Sequence, residues 1–216
     1  LLVIVVAFLA SAAVYSDLPD RVPTHWNMSG EVDGWMSRER GAFVIPIMLA
    51  ALLGLFRLLP RIDPRRSNYA KFKSTYETLV LSFMLFLLGV HLMMLAAALG
   101  KDISITRVMP IGVGVLFIVL GNLFPRMRPN WFIGVRTPWT LSSDKSWSRT
   151  HRLSGHLFVL SGLLTILAAL FTPSLASRVL FGSLAVASAS MIAYSYVIWK
   201  RDLDSKNAAW PGARGR

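Results

Sequence analysis

Six stretches of this sequence contain no Asp, Glu, Lys or Arg, and polar segments separate them. An α-helix needs about 20 predominantly apolar residues, with a range of about 17 to 25, to cross the hydrocarbon core of a bilayer. Four stretches reach that length, and the second reaches it if Arg57 extends its guanidinium to the lipid headgroups. The pattern predicts spanning helices at positions 1–16, 41–56, 78–100, 108–125, 153–177 and 179–199.

The first stretch, 1–16, has two interpretations. It is either a spanning helix that has lost a few N-terminal residues or the apolar region of a signal peptide. A signal peptide has an apolar region of about 7 to 15 residues followed by small residues, here Ser11 and Ala12. We favour the spanning helix, because five spans would place the two termini on opposite sides of the membrane.

Basic residues concentrate in alternate polar segments, namely 60–77, 126–152 and 200–216. Short loops rich in Lys and Arg stay in the cytoplasm. The sequence therefore predicts an all-α integral membrane protein, a bundle of six transmembrane helices with cytoplasmic N- and C-termini. It places one long loop, 16–41, outside the membrane and one long motif loop, 121–155, in the cytoplasm.

Composition supports a membrane protein. The chain is 54% hydrophobic and only 16% charged, whereas an ordinary soluble domain is about 25% charged. The net charge of +12 is explained by anionic lipids at the cytoplasmic helix ends, so we expect no direct nucleic-acid contact. The absence of Cys excludes a disulfide scaffold and thiolate catalysis.

The predicted helices lack acidic and basic residues at their centres, which disfavours a proton-coupled pump or an ion channel. We interpret His91, in the middle of the third helix, as a neutral side chain that forms hydrogen bonds between helices. Small residues in the third, fifth and sixth helices, such as Ser183 and Ala187, predict close packing within the chain. A face for a homo-oligomer is the alternative.

Two loops carry the candidate functional residues. In the outer loop, turn signals surround aromatic and polar side chains, and the candidates for contact with a ligand or partner are His25, Trp26, Asn27 and Asp33. In the cytoplasmic loop the candidates are Asn130, Arg136, Thr137, Trp139, Trp147, His151 and Arg152.

The cytoplasmic loop also predicts some local structure. A helix begins with Ser143 or Asp144 as its N-cap. Trp147 and His151 are four residues apart and share one face of that helix. The guanidinium of Arg136 either binds a phosphate group or ties the loop to its own carbonyls and to Asp144. No spacing matches a catalytic or metal motif, so we predict no catalytic residues, no metal and no cofactor.

Both loops resemble those of the SdpI family, immunity proteins against the sporulation-delay killing peptide. The outer loop is similar to a short domain of unknown function that often precedes the SdpI domain, and the cytoplasmic loop resembles the family signature. The matching residues include Leu18-Pro19, Pro23 to Asn27, Gly30, Asp33-Gly34, Gly121-Asn122, Pro129-Asn130, Ile133 to Leu141, Trp147, Thr150-His151-Arg152 and Gly155.

The resemblance implies a multi-pass protein of the bacterial cytoplasmic membrane, not an enzyme, that protects against a secreted peptide toxin. It also implies that a cognate transcriptional repressor is recruited at the cytoplasmic face. The corresponding domains are a helix pair at 1–59, an SdpI-like four-helix region at 76–200 and a basic cytoplasmic tail at 201–216. The alternatives are a membrane protein that binds or processes a lipid-linked phosphate substrate, and a small transporter.

Overall fold

The computed structural model describes residues 1–209 as seven α-helices and one β-hairpin, joined by short 3₁₀ turns. The elements, in chain order, are α1 (Leu2–Val14), β1 (Arg21–Trp26), β2 (Val32–Ser37), α2 (Arg38–Ile62), α3 (Lys73–Ala98), α4 (Ile105–Leu123), α5 (Pro138–Ser142), α6 (Asp144–Phe171) and α7 (Pro173–Ala209).

Each of the six predicted apolar stretches forms a helix, and five of these helices (α2, α3, α4, α6 and α7) are long and apolar enough to cross a membrane. Helix α1 has 13 residues, which at about 1.5 Å per residue gives a length near 20 Å, against about 30 Å for the hydrocarbon core. A mostly helical protein with five helices of spanning length is therefore confirmed, whereas the sixth span stays a prediction.

The outer loop corrects the all-α prediction, because it forms a two-stranded antiparallel hairpin. Strands β1 and β2 pair Arg21 with Ser37 and Pro23 with Trp35, and the register shifts on either side of His25. A proline within β1 and the irregular register hide the alternation of apolar and polar residues that normally predicts a strand. Helix α2 begins directly after β2.

The N-terminal helices pack around a core beneath the hairpin. This core joins Leu18 and Val22 to Leu49 of α2 and Met94 of α3. Among these helices, Nε2 of His91 lies 2.9 Å from Oγ of Ser11. The Ser11 hydroxyl donates to the carbonyl of Ala42 at 2.5 Å, so the His91 nitrogen donates to Ser11. The prediction of a histidine that links helices through hydrogen bonds is confirmed.

Helices α4 and α6 are antiparallel and pack closely through glycines, a contact that the sequence analysis missed. A Cβ on Gly114 would lie 2.8 Å from the carbonyl oxygen of Gly162, and one on Gly121 would lie 2.6 Å from that of Gly155. The signal was present, because both helices carry two glycines seven residues apart. Helix α7 packs on α6 and continues through residue 209, so part of the predicted tail is helical, whereas 210–216 lie outside the described residues.

Candidate functional site

The outer hairpin rests on α2 and is closed by hydrogen bonds of Asn27. The buried Val22 side chain packs where Gly41 leaves room, because a Cβ on Gly41 would lie 2.6 Å from that of Val22. At the turn, Oδ1 of Asn27 accepts hydrogen bonds from the backbone N–H groups of Ser29 (2.9 Å) and Glu31 (3.0 Å). The amide of Asn27 also donates to the Glu31 carboxylate. Asn27 therefore holds the turn in one conformation.

His25 and Asp33 face each other across the hairpin. Nδ1 of His25 and Oδ1 of Asp33 are 2.5 Å apart, and their side chains are 71% and 45% exposed. Nearby, the guanidinium of Arg38 pairs with Asp20 at 2.8 Å. Acidic side chains of the hairpin thus have partners within the hairpin and at the start of α2. Among residues 1–209 no group of three or more His, Asp or Glu side chains is placed to hold a metal ion.

Beneath the hairpin lies a cavity of about 310 Å³, here called the outer cavity. Residues 24–28 of the hairpin form one wall, and the ends of α3, α4 and α7 nearest the hairpin form the others. Its lining is mainly apolar, with Met109, Leu180 and Phe181 in the walls and Thr24 and Asn27 among the polar groups. Three of the four outer candidates line this cavity. Asp33 does not line it, but contacts His25.

The motif loop at 121–155, which the sequence predicts to be cytoplasmic, is organised around Asn130, which is fully buried. Its Oδ1 accepts hydrogen bonds from the N–H groups of Phe132 (3.0 Å) and Ile133 (2.7 Å). Its Nδ2 donates to the carbonyls of Arg128 (3.0 Å) and Ile133 (3.1 Å). The amide therefore satisfies four hydrogen-bonding groups of the loop backbone.

Trp147 and His151 connect α6 to the same loop. Their rings stack with centroids 4.0 Å apart, as predicted for residues that share a helix face. Nε1 of Trp147 donates to the carbonyl of Met127 at 3.0 Å. Nε2 of His151 accepts from the N–H of Val135 at 3.1 Å, so its Nδ1 carries the proton and donates to the carbonyl of Trp147. With both nitrogens engaged, His151 is not placed to act as a base.

Thr137 caps α5 and ties the loop to α7. Its Oγ1 accepts from the N–H of Thr140, and the Thr140 hydroxyl accepts from the N–H of Thr137, a reciprocal capping box. The Thr137 hydroxyl also donates to Oγ of Ser195 at 3.0 Å. One residue beyond α5, Ser143 caps α6 as predicted and donates to Asp202 at 2.9 Å. The loop thereby becomes a fixed platform on α6 and α7.

The remaining cytoplasmic candidates lie at the surface of this platform. Arg136 donates to the carbonyl of Trp131 at 2.9 Å. The expectation that Arg136 ties the loop to one of its own carbonyls is confirmed. Its expected pairing with Asp144 is wrong, because the ion-pair partner of Asp144 is Arg65 at 3.6 Å. The ring of Trp139 packs edge-on against Tyr196, and Arg152 is exposed on α6.

Asp63 is a loop-organising residue that the sequence analysis missed. It is 2% exposed, and its carboxylate accepts from the N–H of Arg65 (2.7 Å), the hydroxyl of Tyr69 (3.0 Å) and the N–H of Trp131 (2.9 Å). It therefore joins the segment after α2 to the motif loop. The sequence held one sign of this role: Asp63 is an acidic residue between the last residue of α2 and Pro64, in a segment rich in Lys and Arg.

Comparison with known proteins gives two family matches and one curated relative. Residues 2–50 match a domain of unknown function, DUF1648, and residues 126–197 match the SdpI/YfhL protein family. The chain is 26% identical over 172 residues to the immunity protein SdpI of Bacillus subtilis (strain 168), which covers 80% of each protein. No solved structure matches the chain. With its five helices of spanning length, the chain is a multi-pass cell membrane protein, and it is similar to the SdpI/YfhL protein family over residues 126–197, with a DUF1648 match preceding that region.

Proposed function

We propose that this protein is a membrane immunity protein that protects the cell against a secreted peptide toxin, which it meets at the outer hairpin. Its similarity to the immunity protein SdpI supports the general function. The observation that carries the proposal is the contrast between the two motif loops. The cytoplasmic loop uses its buried polar groups to hold itself together, whereas the hairpin stands over an open, largely apolar cavity.

The proposed orientation places the hairpin outside and both termini in the cytoplasm. The hairpin lies at the same end of the bundle as the start of α4 and the start of α7. The segment after α2 lies against the motif loop at the other end, where Asn68 donates to the carbonyl of Pro129 at 2.8 Å. This second end carries the segments rich in Lys and Arg, which favour the cytoplasm.

Expression of this protein in a Bacillus subtilis strain that lacks its own SdpI tests the function. Exposure to the sporulation-delay killing peptide should leave more survivors than an empty vector does. Unchanged killing, with the protein confirmed in the membrane by immunoblotting, would contradict the proposal. A reporter for repressor recruitment in the same cells tests whether the cytoplasmic platform, with Arg152 at its surface, also relays the signal.

A second candidate function, binding of a phosphate group such as that of an anionic lipid, is favoured by a basic depression at the cytoplasmic end. Lys71, Lys73, Arg126 and Arg128 line this open space of about 680 Å³. Guanidinium groups suit phosphate oxygens. Native mass spectrometry should detect a retained anionic lipid, and the double variant R126Q/R128Q should lose it. The variant R136Q serves as the control, because Arg136 is directed to Trp131.

A further inference from the structure

The outer cavity continues into a second, more polar space of about 350 Å³. Met28, Thr106 and Ser177 line both spaces, so the two adjoin. The second space adds the side chains of Ser29, Ser174 and Arg178. The combined site therefore has an apolar part under the hairpin and an end rich in hydroxyl groups beside a guanidinium.

Arg178 gives this site a positive charge. No Asp or Glu lines either space. Within residues 1–209 the carboxylates of the hairpin have other partners, since Asp33 is bonded to His25 and Asp20 to Arg38. Glu31 accepts from the amide of Asn27. An anionic group on the occupant would complement Arg178, and the hydroxyls of Ser174 and Ser177 would add donors for it.

We propose that this site binds the C-terminal end of an apolar peptide. The terminal carboxylate lies against Arg178, and the last apolar side chains lie between Leu180, Phe181 and Met109. Thr24 of the hairpin supplies a polar group for the peptide backbone. The proposal rests on the proposed function, because it names the part of the toxin that this protein recognises.

A peptide suits this site better than an anionic lipid does. Anionic lipids concentrate in the cytoplasmic leaflet of a membrane, whereas Arg178 lies at the outer end of the bundle in the proposed orientation. The lining also offers polar side chains beside its apolar walls, which an acyl chain would leave without partners. Capture of a peptide carboxylate at one end of an otherwise apolar groove is a general mode of peptide recognition.

Titration of the full chain in phosphatidylcholine nanodiscs tests the proposal. The probes are N-acetylated, fluorescently labelled tetrapeptides whose last two residues vary among Leu, Phe, Val and Trp, each made as the free acid and as the C-terminal amide. Fluorescence anisotropy should show saturable binding of at least one acid and binding at least tenfold weaker for its amide, about 1.4 kcal/mol. The variant R178Q should bind the free-acid peptide at least tenfold more weakly than wild type. The variant R107Q, at the start of α4, should bind it as wild type does.

Several outcomes would overturn the proposal: no saturable binding by any acid, equal binding of acid and amide, or unchanged binding by a folded R178Q protein. Binding of dodecyl phosphate through Arg178, without binding of any free-acid peptide, would also overturn the proposal. The occupant would then be a phosphate amphiphile. Survival of toxin-treated cells separates the two proposals. An R178Q protein that protects fully refutes this site alone, whereas acid binding without any protection refutes the immunity function alone.

Discussion

Gly134 lies directly against the imidazole of His151, and neither residue has room to change. Gly134 has a φ of +102°, and a Cβ at this position would overlap Nε2 of His151. That nitrogen accepts the hydrogen bond from the N–H of Val135 at 3.1 Å. The glycine thus allows the loop backbone to reach the histidine that fixes it to α6.

Substitution of Gly134 by alanine should therefore destabilise the protein. The positive φ costs about 1 kcal/mol or more for a residue with a Cβ. The alanine Cβ would also displace the His151 ring. Thermal unfolding of G134A in detergent should show a clearly lower midpoint than wild type. G182A is the matched control, because a Cβ on Gly182 would meet no atom within 4 Å. Equal midpoints for G134A and wild type would contradict the observed contact.

Loss of the Asp63 carboxylate should loosen the junction between the segment after α2 and the motif loop. D63N keeps the shape of the side chain but replaces one acceptor oxygen by an amide donor, which faces groups that also donate. A buried donor left without an acceptor costs about 1–3 kcal/mol. Limited proteolysis should cleave the 63–72 segment of D63N faster than that of wild type. D102N, at an exposed position in the loop before α4, should behave as wild type.

The close crossing of α4 and α6 predicts a different effect for two glycines in the same helix. A Cβ on Gly121 would lie 2.6 Å from the backbone oxygen of Gly155, whereas one on Gly112 would lie 3.5 Å from the ring of Phe86, an ordinary contact. Overpacking costs about 1–3 kcal/mol. G121A should lower the unfolding midpoint in detergent and G112A should leave it near that of wild type. The reverse order would refute this crossing.

The apolar pattern predicts the helices well because lipid-exposed and bundle-facing residues are both apolar, so each helix appears as an uninterrupted stretch. The outer hairpin could not be predicted in the same way. Its strands carry Pro23 and an irregular register around His25, and they are held by contacts with α2 that are distant in sequence.

The motif residues illustrate a second limit of sequence analysis. The sequence identified Asn130, Trp147 and His151 as unusual, but a polar side chain that binds a ligand and one that binds its own backbone have the same sequence signature. The structure shows that each forms hydrogen bonds with backbone groups. Pairing of Asp144 with Arg65 was also missed, because these residues are 79 positions apart and belong to different loops.

The two tryptophans of the hairpin provide the most direct test of the proposed function. Trp26 lines the outer cavity, whereas Trp35 is 48% exposed, does not line that cavity and lies beside the guanidinium of Arg21. Since both variants remove the same side chain from the same hairpin, W35A is a matched control for W26A.

Recognition of the toxin at the outer cavity is tested by the survival of SdpI-deficient Bacillus subtilis exposed to the peptide toxin. The cells express W26A, W35A or wild type at equal membrane levels. We expect W26A to reduce survival at least tenfold relative to wild type, because the toxin loses an aromatic wall of its site, and W35A to protect as wild type does. Full protection by W26A, or equal loss in both variants, would contradict recognition of the toxin at the outer cavity.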